Sequence, residues 1–118
     1  MSRRFREVLV LLDAVGQPLF WSSGGVAHIP DDAETWGAIW RLFVEGRLAA
    51  VAHTHPGTGT PRPSSEDVTT MDAVEAGLGV KLTWLIASAD HVAVVRGGPW
   101  TGGDGWLAEL RKRSWRSG

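Results

Sequence analysis

"RLAAVAHTHPGTGTPRPSSEDVTTMDAVEAG" runs from Arg47 to Gly77 and changes character twice. Its opening, Arg47 to His53, is an apolar run of the kind that fills a central strand. Its last part begins at Ser64, with Asp67 three residues on, and reads as a helix ending before Gly77. Between them lies a loop of Pro, Gly and Thr, too rich in turn formers to be strand or helix. Strand, loop and helix in immediate succession point to a sheet with helices packed on it.

The flanks extend that reading. Upstream, "EVLVLLD" (Glu7 to Asp13) is a continuous Val/Leu run, predicting a strand buried on both faces. "AVGQP" then reads as a turn and "LFWS" as the second arm of a hairpin, with "GGVAHIP" continuing that arm. "DDAETWGAIWRLFVEG" predicts an amphipathic helix: Asp31 and Glu34 form its capping box, Trp36, Ile39, Trp40 and Phe43 its inner face, and Gly46 its stop. Downstream, "KLTWLIASADHVAVVRG" predicts two strands separated by "SAD", and "GGDGWLAELRKRSW" a terminal helix capped by Asp104. The expected class is α/β (α+β), a mixed β-sheet flanked by helices, in a single domain over residues 1–118. Trp36, Trp40 and Trp84 fit core positions, while Trp21, Trp100, Trp106 and Trp115 are candidates for an exposed binding surface.

Composition limits the chemistry. A chain of 118 residues, 43% hydrophobic, suits one core that buries roughly two thirds of the unfolded surface. It has no Cys, which removes disulfides, thiolate ligands and cysteine nucleophiles, so catalysis would fall to His, Asp, Glu, Ser or a metal. A net charge of -1 leaves no footprint for nucleic acid, and "RKRSWR" (Arg111 to Arg116) reads as a solvated helix end. No apolar run is long enough to span a membrane and no leader is readable, so the expected location is cytoplasmic.

The candidate chemistry sits in the opening stretch. In an extended strand residues two apart share a face, so His53 and His55 can reach one ion, and Pro56 holds His55 in extended geometry. Asp67, in the first turn of the next helix, can fold back over the strand end. Two imidazoles and a carboxylate leave a fourth position open, as in a catalytic rather than a structural zinc site. Each feature alone has a plain structural reading: Ser64 and Asp67 a helix cap, His-x-His a chance pair, Glu7 a strand-edge carboxylate. Their conjunction favours the metal. His28 reads as a satisfied core or surface histidine in preference to one that supports a metal ligand or lines a substrate cleft, and His91 as an exposed turn residue.

His53-x-His55-Pro56, then Pro63-Ser64-x-x-Asp67, with Glu7 before an upstream apolar strand, resembles the JAMM (MPN/JAB) zinc metalloproteases, in particular their prokaryotic JAB-like branch. The order of elements resembles that family over most of the chain. The resemblance implies a cytidine-deaminase-like JAB/MPN fold and a Zn²⁺ cofactor held by His53, His55 and Asp67. Glu7 is then the general base and Ser64 the donor to the oxyanion. It also implies a deubiquitinase-like isopeptidase or peptidase that hydrolyses an amide after the C-terminal tail of a ubiquitin-like protein, with activating- or conjugating-type enzymes of that pathway as further partners. Two features depart from the pattern. Eight residues, Pro56 to Pro63, separate His55 from Ser64, one more than usual, and six residues precede Glu7 where relatives often carry a helix. Two other classes share parts of the pattern: an inactive MPN scaffold, disfavoured because every motif residue is kept, and a RadC-like DNA-associated protein, disfavoured by the near-neutral charge. The modifier and the oligomeric state are not legible.

Overall fold

The structure is a computed structural model that describes residues 3–117. Its centre is a five-stranded sheet. The strands are β2 (Val8–Leu12), β3 (Pro18–Ser23), β4 (Ala50–Thr54), β5 (Thr83–Ala87) and β6 (Val92–Arg96), in the order β3-β2-β4-β5-β6. β4 and β5 run parallel and the other neighbours antiparallel, so the sheet is mixed. A short β1 (Arg3–Phe5) pairs with β7 (Trp115–Ser117) in a separate two-stranded ribbon. Helix α1 (Ala33–Val44) links β3 to β4, α2 (Ser65–Leu78) provides the crossover from β4 to β5, and α3 (Gly105–Ser114) precedes β7.

Every residue of β2 and β4 is buried, as the unbroken apolar runs require. Alternation then divides the core in two. Leu9, Leu11, Val51 and Trp84 face α1 and α2, where they meet Ile39, Leu42, Met71, Val74 and Leu78. Val8, Val10, Ala50, Ala52 and Leu85 face α3, where they meet Trp106 and Leu110. The expected mixed sheet flanked by helices is what forms.

Several local expectations are corrected. "VAHIPD" does not prolong β3; Val26–Asp31 winds into a 3-10 turn, with Val26 and Ile29 buried. The cap of α1 lies one residue later than expected, at Asp32, whose carboxylate accepts from the Thr35 amide. The inner face of α1 shifts with it, to Thr35, Ala38, Ile39 and Leu42; Trp36 and Phe43 are only partly buried, and Trp40 is 48% exposed. Conversely Trp106 is buried against α3's side of the sheet rather than lying on the surface. α2 continues through Gly77, against whose Cα the Trp36 ring packs, and stops at Gly79, whose φ of 72° suits a left-handed cap. Asp104 stands at the N-cap of α3, yet its side chain makes no capping bond.

The C-terminal basic cluster is not simply solvated. Arg111 donates to the Ser88 and His91 carbonyls, and the Arg113 guanidinium lies 4.2 Å from the centroid of the Trp21 ring while bonding Glu109. Ahead of β2, the β1/β7 ribbon packs Phe5 on Trp115, and the Arg6 amide donates to the Ser114 carbonyl.

Candidate metal centre

The parity of β4 that buries Val51 on the α2 side puts His53 there too, and His55 follows one step past the strand end. The His55 amide donates to the Ala87 carbonyl at 3.0 Å, holding the second histidine in line with the β4/β5 ladder. Thr54, between them, points to the other side. Its hydroxyl accepts from the Val8 amide at 3.0 Å and lies 2.7 Å from Ser114 Oγ, so the strand end is pinned from α3 as well.

Asp67 reaches this point through its helix cap. Ser64 Oγ accepts from the Asp67 amide and Asp67 Oδ2 accepts from the Ser64 amide, both at 3.0 Å, a reciprocal capping box. The cap and the candidate ligand set are therefore one arrangement, because the box turns the Asp67 carboxylate toward the histidines. His53 Nε2, His55 Nε2 and Asp67 Oδ2 converge: 3.2 Å between the two nitrogens, 3.3 Å from His53 to the carboxylate oxygen and 2.8 Å from His55 to it. A tetrahedral ion with bonds of roughly 2.0–2.2 Å would hold its ligand atoms about 3.3–3.6 Å apart. Two edges of the triangle are close to that size; the third is a hydrogen bond that would open by about half an ångström. Among the described residues His53, His55 and Asp67 are the group that could hold a metal ion.

The electrostatics suit a cation. Burial pushes the Asp67 carboxyl up, but hydrogen bonds from His53, His55 and the Ser64 amide outweigh it, and the group is held well below the usual carboxylate range. His55 is pushed above the ordinary histidine range, chiefly by its bond to Asp67; burial opposes this, while the charges of Asp67 and Glu7 and the Arg62 backbone add to it. The field that favours a proton on His55 favours any positive charge at the point of convergence. His53 Nδ1 is buried and meets no hydrogen-bond partner among the described residues, so the ring is oriented by packing and by its Nε2 contacts.

The remaining two candidates border the cluster. Glu7 lies outside the group of converging ligand atoms. It stands just before β2, two residues ahead of Leu9 in the Leu9↔His53 rung, and parity gives it the face that Leu9 shares with His53. It is half-buried, and its carboxylate lies against Gly25, where any Cβ would collide with it; no local pattern around Gly25 announces that task. Ser64 is exposed at the mouth of α2, and since its Oγ accepts from Asp67, its own hydrogen is free to donate. His28 is exposed and lines a groove of about 440 Å³ with Ala27, Asp31, Ser65, Glu66 and Thr69, which opens beside the start of α2. Thr54, Ser114 and the Arg62 backbone had no signature in the sequence; only the alternation of His-x-His could have shown that Thr54 faces α3.

No protein-family model, no curated protein and no solved structure matches this chain, so the functional reading rests on its own residues. No helix among the described residues is long and apolar enough to cross a membrane.

Proposed function

We propose that this chain is a zinc metallopeptidase of the JAMM type, cleaving the amide that follows the C-terminal tail of a ubiquitin-like protein. The observation that carries the reading is the triangle of His53 Nε2, His55 Nε2 and Asp67 Oδ2, whose edges lie near those of a tetrahedral ion. Zinc, when bound, supplies Lewis acidity to the scissile carbonyl and to water. The chain's own residues do the rest. Glu7, on the face of the sheet shared with His53, accepts the proton of the attacking water and passes it to the leaving amine. Ser64, free to donate, hydrogen-bonds the carbonyl oxygen as it gains charge. The groove between the 3-10 turn and α2 lies beside Ser65, the residue after Ser64, and is where an extended peptide would lie in this reading; small terminal side chains would allow close approach to the metal. The substrate class rests on the motif resemblance, as does the expectation of activating- and conjugating-type enzymes as partners.

The test is zinc content followed by turnover. Purified protein should carry about one zinc per chain after dialysis against a weak chelator and should release ubiquitin-like modifiers from amide-linked substrates, with Glu7→Gln inactive but zinc-loaded. Zinc without turnover on any such amide would favour a scaffold.

A further inference from the structure

The loop between His55 and Ser64 carries both ends of the candidate site, and its eight residues include two glycines at positive φ, Gly57 at 90° and Gly59 at 86°. Left alone, such a segment would sample many conformations and would position neither end. It is not left alone. The turn that follows β5 fastens it at those two glycines: the Ala89 amide donates to the Gly57 carbonyl at 3.0 Å, the Gly59 amide to Asp90 Oδ1 at 2.8 Å, and Ser88 Oγ to the Gly59 carbonyl at 2.6 Å. Ser88 is buried, also lies 3.2 Å from Asp90 Oδ1, and accepts from the His91 amide at 3.1 Å. His91 Nδ1 holds the same Asp90 oxygen at 3.0 Å, and Arg111 of α3 ties down the Ser88 and His91 carbonyls.

Nothing in the fold requires so many bonds from a strand-connecting turn to a loop on the neighbouring strand, since the β4/β5 ladder is already complete through Thr54↔Ala87. What the bonds do secure is the backbone that leaves His55 and runs on to Ser64, whose amide aims the Asp67 carboxylate. We propose that Ser88 and Asp90 are positioning residues for the metal centre: they latch the motif loop so that His55 and Asp67 meet at the geometry an ion needs. The inference rests on the metal reading above. Neither residue touches the ligand atoms, so its effect is on affinity and coordination geometry rather than on the ligand set. Outer partners of metal ligands typically govern affinity by roughly 10–100-fold.

The experiment measures zinc affinity of the full chain by competition with a chromophoric chelator, and the visible spectrum of the cobalt-loaded protein, for wild type, Asp90→Ala, Asp90→Asn and Ser88→Ala. Amide hydrogen exchange at Gly59 provides a readout that needs no metal. Asp90→Ala and Ser88→Ala should bind zinc roughly 10-fold or more weakly with an altered cobalt spectrum, and Asp90→Ala should lose protection at Gly59. Asp90→Asn keeps an oxygen for the Gly59 amide and should restore most of the affinity. Wild-type affinity and spectrum in Asp90→Ala would overturn the latch while leaving the metal site standing; a wild type that takes up no zinc would overturn both.

Discussion

Helix α2 carries two buried carboxylates two turns apart, Asp67 at 3% exposure and Glu75 at 7%, and their surroundings differ in kind. Glu75 is surrounded by groups that are permanently donors. Its Oε2 accepts from the Leu82 amide and the Trp84 indole, both at 2.9 Å, and Arg96 Nη2 sits 2.8 Å from Oε1 as a charge contact outside good hydrogen-bond geometry. Its charge is matched by Arg96 and its Oε2 is hydrogen-bonded within the fold, which ties α2 to β5 and β6. Asp67 instead faces two imidazoles whose Nε2 atoms also face each other at 3.2 Å, a contact in which only one of the pair can be a neutral donor to the other. The first cluster closes on itself, whereas the second converges on a point between its atoms. A buried acid with fixed donors is architecture; a buried acid with two converging imidazoles is a group that could hold a metal ion.

The sharpest way to break the contrast is to remove a ligand. His53→Ala and Asp67→Asn should abolish zinc binding, measured by elemental mass spectrometry; the asparagine keeps a cap oxygen so that α2 still starts where it does. Glu7→Gln comes next, with a turnover loss of roughly 10²–10⁴-fold on a ubiquitin-like amide and unchanged zinc content. Glu75→Gln should do the opposite, lowering stability by about 1–3 kcal/mol in urea denaturation while the zinc stays.

A pH series sharpens the same comparison. Burial pushes the Glu75 carboxyl up, but the Leu82 amide, the Trp84 indole and Arg96 together hold it below its usual range. Its contribution is therefore complete above the ordinary glutamate range and fades as pH falls through the lower folded value. The stability gap between wild type and Glu75→Gln should narrow on acidification into that window. The smallest effect is expected at exposed Trp40, where Ala should change stability by no more than about 0.5 kcal/mol, against about 3–5 kcal/mol for Trp84→Ala in the core.

The elements legible in the sequence were those whose pattern is local and whose faces are decided by burial. β2 and β4 are unbroken apolar runs, and both arise as fully buried strands. The site candidates were legible because alternation in His53-x-His55 and the Ser64/Asp67 cap are both short-range geometry. Features set by distant partners were not legible. Trp40 and Trp106 exchanged expectations because α1 packs with Thr35, Ala38, Ile39 and Leu42 inward, which leaves Trp40 outward, and because α3 covers the sheet face that Trp106 fills. Gly77 read as a stop because its packing against Trp36 lies 41 residues away along the chain. The latch at Ser88 and Asp90 was hidden for the same reason: "SAD" looks like an ordinary turn until β5 brings it beside Gly57 and Gly59.

The central claim is that the Asp67 cluster binds a metal and the Glu75 cluster does not need one. Zinc stoichiometry of the purified chain, determined side by side for wild type, Asp67→Asn and Glu75→Gln after reloading and dialysis, tests it most directly. About one zinc per chain in wild type and Glu75→Gln, and none in Asp67→Asn, is the predicted result. No zinc in wild type, or the same zinc in Asp67→Asn, would contradict it and reduce His53, His55 and Asp67 to a hydrogen-bonded helix cap.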